Sequence, residues 1–159
     1  MKTILWIEDD SNHDVVKLCP AVQREPDWIF HIVPDVTQAI SRIKSNRYDT
    51  IVLDIRIEPG RDKNWENLYI KKGASKNSAR LGIELLYSML NPRNDSIKVS
   101  EVPKWFSKHL IGILTVESLN ELKDDLKNLV ICEERYIQKK GGMSKKTLKN
   151  LIKRILSNK

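Results

Sequence analysis

The stretch Tyr48-Asp49-Thr50-Ile51-Val52-Leu53-Asp54 is where the reading of this chain turns. It is a short apolar run that stops on an acid, and an earlier run does the same: Ile4-Leu5-Trp6-Ile7 ends in Glu8-Asp9-Asp10. Runs of this length rich in Ile, Val and Leu predict strands, the third over Ile51 to Ile55 and the first over Ile4 to Ile7. Working outward, Trp28 to Val33 predicts the second strand, Leu110 to Leu114 the fourth and Arg135 to Gln138 a short fifth. Helical spacing fills the gaps. Asp10 to Asn12 offers capping types ahead of Val15, Leu18 (or Cys19) and Val22, with Pro20 predicting a kinked or short helix. Asp35 caps a helix carrying Val36, Ala39, Ile40 and Ile43, and further helices are predicted over Leu81 to Leu90 and Leu119 to Leu129. Ser144 predicts the start of the last helix, with Met143 stapling onto Leu148 and an apolar face of Leu148, Leu151, Ile152 and Ile155. Strands alternating with helices imply βαβ units and a parallel sheet.

Two segments break the rhythm. Between Glu58 and Arg80 periodicity vanishes, and a structureless loop of that length is unusual in a compact domain, so part of it is expected to fold or to serve a function. A second irregular stretch runs from Arg93 to about Lys104.

At 159 residues the chain is expected to form one domain, residues 1–159. Apolar residues make up 40% and charged residues 31%, an ordinary balance for a globular protein. No apolar run reaches the ~20 residues of a membrane span, and the acids after Ile7 come too early for a signal peptide. Cys19 and Cys132 lack C-x-x-C spacing, so buried thiols in a reducing compartment, the cytoplasm by default, are expected. His13, His31 and His109 show no metal-ligand spacing. The net charge of +7 is uneven: Arg135 to Lys159 holds nine Lys or Arg and no acid. Such a face suits an acidic partner, nucleic acid or an anionic membrane, and equally a solvated helix surface.

In an open α/β sheet, ligands bind at the C-terminal ends of the strands. Glu8-Asp9, Asp54 and Thr115 fall at such ends, and Lys139 lies just past the fifth strand on the same edge. Converging carboxylates repel one another, and a hard dication such as Mg²⁺ relieves that repulsion with one or two carboxylates plus waters and phosphate oxygens. A carboxylate can attack phosphorus, while a lysine and a hydroxyl stabilise the phosphoryl oxygens. The set suffices for metal-assisted phosphoryl transfer to an aspartate.

These residues resemble the response-regulator receiver domains of two-component signalling. Ile4-Leu5-Trp6-Ile7-Glu8-Asp9-Asp10 resembles the first strand and acidic pair, and Tyr48 to Asp54 the phosphoacceptor strand. Gly82-Ile83-Glu84-Leu85-Leu86 is similar to the start of the third helix, Ile113-Leu114-Thr115 to the strand ending in a switch hydroxyl, and Tyr136-Ile137-Gln138-Lys139 to the fifth strand. The resemblance implies a flavodoxin-like, doubly wound, five-stranded parallel sheet of order 2-1-3-4-5, with inserts after the third strand (about 58–80) and after the third helix (about 93–104). It also implies Asp54 as phosphoacceptor, Asp9 binding Mg²⁺ directly, Glu8 acting through water, and the Arg56 backbone carbonyl as a further ligand. Thr115 and Lys139 would hold the phosphoryl group, and Tyr136 would be the switch aromatic.

The chain departs from the pattern beside the acceptor. Ile57-Glu58-Pro59 replaces Met-Pro, Gly82 arrives some twenty residues late, and Lys140 replaces a proline. Val116 stands where a smaller residue is usual and should narrow access. Arg56 and Glu117, of opposite charge, are expected to flank the mouth of the site and could pair across it. The implied partners are a sensor histidine kinase or phosphotransfer protein and an acidic downstream protein. Neither membrane nor direct nucleic-acid binding is expected. The chain would be a phosphoacceptor that assists its own phosphorylation and dephosphorylation, not an enzyme acting on other substrates. The alternative is an interaction module of the same fold that works without phosphorylation, through its basic insert or last helix.

Overall fold

The computed structural model describes residues 1–11 and 13–158; Asn12, named above as a capping type, and Lys159 lie outside the described residues. The elements run β1 (Lys2–Ile7), α1 (Asp14–Gln23), β2 (Trp28–Val33), α2 (Val36–Ser45), β3 (Thr50–Leu53), α3 (Lys63–Lys71), α4 (Lys76–Ala79), α5 (Leu81–Leu90), β4 (Ile111–Thr115), α6 (Leu119–Leu129), β5 (Tyr136–Gln138) and α7 (Thr147–Ser157). Among the described residues the strands form one parallel sheet of order β2-β1-β3-β4-β5, the expected doubly wound arrangement.

Side chains alternate across a strand, so the central strands feed two cores. Leu5, Ile7, Ile51, Leu53, Ile111 and Ile113 face one core, shared with Val36, Ile43, Leu85, Leu86, Leu122 and Leu126 of α2, α5 and α6. Ile4, Trp6, Val52 and Leu114 face the other, shared with Leu18 and Val22 of α1 and Leu148, Leu151, Ile152 and Ile155 of α7.

The segment after β3 folds back onto the body. The Glu58 and Pro59 carbonyls accept from the Val36 and Thr37 N–H groups, satisfying two donors at the start of α2 that have no partner within the helix. Asp62 caps α3 through the Asn64 and Trp65 N–H groups, and Trp65 is buried in the first core. Ser75 caps the single turn of α4. Arg80 joins α4 to α5 with φ +49°, a left-handed conformation uncommon for a residue with a side chain. Its guanidinium is anchored on Glu117 and Asp125, which offsets the strain. Gly82 then packs α5 against the loop after β3: a Cβ there would lie 2.3 Å from the Asp54 carbonyl oxygen. The second irregular stretch packs at the N-terminal edge of the sheet, where Trp105 lies against Tyr48 with ring centroids 6.2 Å apart.

Two helix starts differ from expectation. His13, in a left-handed conformation, precedes α1, and Asp10 accepts from the Val15 N–H. α7 begins at Thr147, not directly after Ser144: the Ser144 side chain and carbonyl instead close a turn onto Lys146 and Thr147. Gly141-Gly142 and the preceding loop allow that extra turn before the helix forms. The fifth strand starts at Tyr136, because Arg135 closes a short 3₁₀ turn.

Candidate phosphoryl-transfer site

Ladder bonds continue past the ends of the strands and hold the site residues at the C-terminal edge. The Glu8 N–H donates to the Val33 carbonyl, Asp54 N–H to Ile7 and Lys139 N–H to Thr115. Three acids meet at one ammonium. Lys139 Nζ lies 2.6 Å from Glu8 Oε2, 2.9 Å from Asp54 Oδ2 and 2.9 Å from Asp14 Oδ2. A lysine has three N–H donors, which matches three carboxylates in number. The Glu8 and Asp54 contacts are well-formed hydrogen bonds, whereas the Asp14 contact is an ion pair without that alignment.

All four groups are buried, with Glu8 2% exposed and Asp54 4%. Burial, reinforced by the Asp54 charge, pushes the Glu8 carboxyl up to about 7 in spite of Lys139. Burial works against the Lys139 ammonium, but Asp54 and Glu8 outweigh it and its pKa is raised.

Asp9 faces a different cation. Its Oδ2 accepts from Lys76 Nζ at 2.6 Å and its Oδ1 from the Ser11 N–H. Burial opposes ionisation of Asp9, yet Lys76 and Ser11 together hold its pKa below the usual carboxylate range. Lys76 belongs to α4 in the segment after β3. A cleft of about 230 Å³ opens here, lined by Ser11, Asp54, Arg56, Lys76, Asn77 and Val116.

The rim is a charge network. Arg56 Nε lies 3.2 Å from Glu117 Oε2, so the expected pair forms. Arg80 adds a second guanidinium to Glu117 at 2.8 Å, and Asn77 accepts from Arg56. Glu117 itself is 1% exposed, so the pair is more than a surface contact. Thr115 is wholly buried, and its hydroxyl accepts from the Glu117 N–H at 3.5 Å. The Tyr136 hydroxyl donates to the Glu117 carbonyl at 2.5 Å, tying β5 to the loop that follows Thr115.

Among the described residues, no three His, Cys, Asp or Glu side chains form a ready metal cage. The reason is visible: Glu8 and Asp54 turn to Lys139, and Asp9 turns to Lys76. The donor set nevertheless fits Mg²⁺ in kind. Four carboxyl groups, those of Glu8, Asp9, Asp14 and Asp54, stand against two ammonium groups, Lys139 and Lys76, at these contacts, and all four offer hard oxygen donors.

The structure therefore brings together Glu8, Asp54 and Lys139, places Asp9 and Val116 beside the same cleft, and sets Thr115, Glu117 and Tyr136 on the adjoining loop and strand. Sequence reasoning missed Asp14, Lys76, Asn77 and Arg80. Asp14 had a signal, an acid in the first turn of the helix that follows the acidic pair. The others sit in an aperiodic segment that offered none.

No family model matches the chain, and no curated protein does either. Solved structures do match. The receiver domain of a Francisella response regulator is 18% identical, with 99% of this chain and 98% of that chain covered and a TM-score of 0.58. The phosphorylated cyanobacterial phytochrome response regulator RcpA is 16% identical over 99% and 90% of the two chains, TM-score 0.54. The response regulator TrrA from Thermotoga maritima, in complex with Mg²⁺ and BeF, is 20% identical over 98% and 100%, TM-score 0.53. The class is thereby defined at the level of the fold: this is a flavodoxin-like α/β protein with the architecture of a response-regulator receiver domain.

Proposed function

We propose that the chain is a phosphoacceptor receiver of a two-component phosphorelay, phosphorylated on Asp54 in a Mg²⁺-dependent reaction that switches partner binding. The observation that carries this reading is the convergence of Glu8, Asp14 and Asp54 on Lys139, with Asp54 also lining an open cleft. A buried aspartate on a lysine is costly to keep unless the pair does something for it. In similar folds a phosphorylated regulator and a Mg²⁺–BeF complex support the same chemistry here.

An Asp54 oxygen attacks the phosphorus of the donor. The bond from phosphorus to the donor's leaving group breaks, and that group departs with the electron pair. Lys139 stabilises charge on the phosphoryl oxygens, joined by the Thr115 hydroxyl once its loop draws inward. Asp9, Asp54 and the Arg56 backbone carbonyl would hold Mg²⁺, with Glu8 acting through water. When bound, the ion supplies the positive charge a phosphoryl dianion needs to approach a cluster of acids. Movement of Thr115 would pull on Glu117, whose carbonyl holds Tyr136, and so alter the face formed by β5 and α7.

The phosphodonor in this reading is a sensor histidine kinase or phosphotransfer protein, and the setting is cytoplasmic; no helix among the described residues is long and apolar enough to cross a membrane. The downstream partner is acidic. Lys149 and Lys153 share the single carboxylate of Glu25, and Lys145 and Lys146 add further positive charge beside Lys17 and Arg24. The chain assists its own phosphoryl transfer and loss and acts on no separate substrate.

Intact-mass spectrometry after incubation with phosphoramidate or acetyl phosphate tests the proposal. One phosphoryl adduct is expected, dependent on Mg²⁺ and absent from Asp54→Asn. Labelling that survives Asp54→Asn would overturn the assignment.

A further inference from the structure

The segment between β3 and α5 brings a cation to the metal-binding acid. Lys76 Nζ lies 2.6 Å from Asp9 Oδ2, with the Lys76 side chain 26% exposed and that of Asp9 9%. The chain builds this contact with some care. Ser75 caps α4 through the Ser78 N–H, Asp62 caps α3, and Trp65 roots the segment in the core. Neighbouring Asn77 accepts from Arg56, and Arg80 bonds Glu117, so α4 is also held at the cleft on the C-terminal side of Lys76. The Lys76 side chain lines the open cleft, whereas Lys139 is committed to three buried carboxylates.

We propose that Lys76 is a built-in competitor for the divalent cation: its ammonium holds Asp9, and Mg²⁺ binds only by displacing it. This inference rests on the metal site of the proposed function and adds a residue that sets its affinity. The other Asp9 oxygen, Oδ1, already accepts from the Ser11 N–H, so a metal ion at this carboxylate meets Lys76 on Oδ2, and like charges a few ångströms apart raise each other's energy strongly in a largely buried site. The displaced side chain stays tethered by α4 at the cleft, so displacement is reversible and local. The consequence is a weaker affinity for Mg²⁺ than the acids alone would give.

Isothermal titration calorimetry of the full chain with MgCl₂ tests this without any phosphodonor. Lys76→Met keeps the aliphatic stem and removes the charge; it is expected to tighten Mg²⁺ binding about three- to tenfold, the range of a partly buried ion pair. Lys17→Met removes a positive charge beside Asp14 and Lys139 that does not touch Asp9, and should shift the affinity by less than about twofold. Asp9→Asn in the Lys76→Met background should abolish the gain. Circular dichroism confirms that each variant is folded. Equal affinities for wild type and Lys76→Met overturn the competition while leaving the metal site intact. An equal gain in Lys17→Met overturns it in favour of a general charge effect. If neither wild type nor Lys76→Met binds Mg²⁺, the metal site itself fails and the competition falls with it.

Discussion

Lys139 and Asp54 stand 85 residues apart in sequence, yet Lys139 Nζ lies 2.9 Å from Asp54 Oδ2 inside the sheet edge. The ammonium also serves Glu8 and Asp14, so its loss strands three buried acids at once. Removing one partner of a buried ion pair costs about 3–5 kcal/mol, because the remaining charge has nothing to offset its desolvation. Lys139→Met is therefore expected to lower the stability of the metal-free chain by about 3 kcal/mol in urea denaturation, and to block labelling of Asp54. A variant as stable as wild type would show that the acids are neutralised by other means.

Glu8 makes the stability of the metal-free protein pH-dependent. Its carboxyl is raised from 4.5 to about 7, chiefly by burial and then by Asp54, so the fold favours the neutral form. The resulting contribution is fully present below the unfolded value of 4.5 and is lost as pH rises through about 7. Between about pH 5 and about pH 8, wild type should lose about 2 kcal/mol relative to Glu8→Gln, which cannot ionise. Urea midpoints in the presence of a chelator measure this. Parallel pH profiles for the two proteins would contradict it.

The rim should govern how long a phosphoryl group lasts. Val116 lines the cleft, and Arg56 bridges to Glu117 across its mouth. Water must reach phosphorus opposite the Asp54 oxygen, so bulk and an ordered ion pair there slow its approach. Val116→Ala and Arg56→Ala are each expected to shorten the half-life of the phosphorylated chain several-fold, followed by intact mass over time. Arg56→Ala is the cleaner rim variant, since Glu117 keeps Arg80 and is not left buried and unpaired. Unchanged half-lives in both would remove the rim from the account.

Gly82 couples the segment after β3 to the acceptor. A methyl group at this position meets the Asp54 carbonyl oxygen at 2.3 Å and Ile55 Cα at 2.7 Å, both backbone atoms that cannot swing aside. Overpacking of this kind costs about 1–3 kcal/mol. Gly82→Ala should lose that much stability and slow the labelling of Asp54, because the acceptor loop has to shift. Wild-type labelling in a destabilised variant would uncouple the two.

What the sequence determined by itself was the frame. Runs such as Ile4 to Ile7 and Ile51 to Leu53 carry their strand signal locally, since they are too short for a buried helix and rich in β-branched and aromatic residues that suit a buried strand. Once those runs alternate with helices, the sheet edge that gathers Glu8, Asp54 and Lys139 follows from topology. The cap at Asp35 was equally local, because a cap is a contact over three residues. The start of α7 shows the converse: Ser144 has capping chemistry, but the turn it closes onto Thr147 competes with a helix start.

Only the tertiary structure decided which cation meets which acid. Asp14 reaches Lys139 because α1 begins with its first turn against the sheet edge, and Lys76 reaches Asp9 across 67 positions because Trp65 anchors the segment that carries it. Arg80 meets Glu117 in the same way, from a left-handed hinge that no local propensity favours. Ion pairs have neither period nor fixed spacing along the chain. Their partners are chosen by packing, and packing is settled by apolar groups far from the charges themselves.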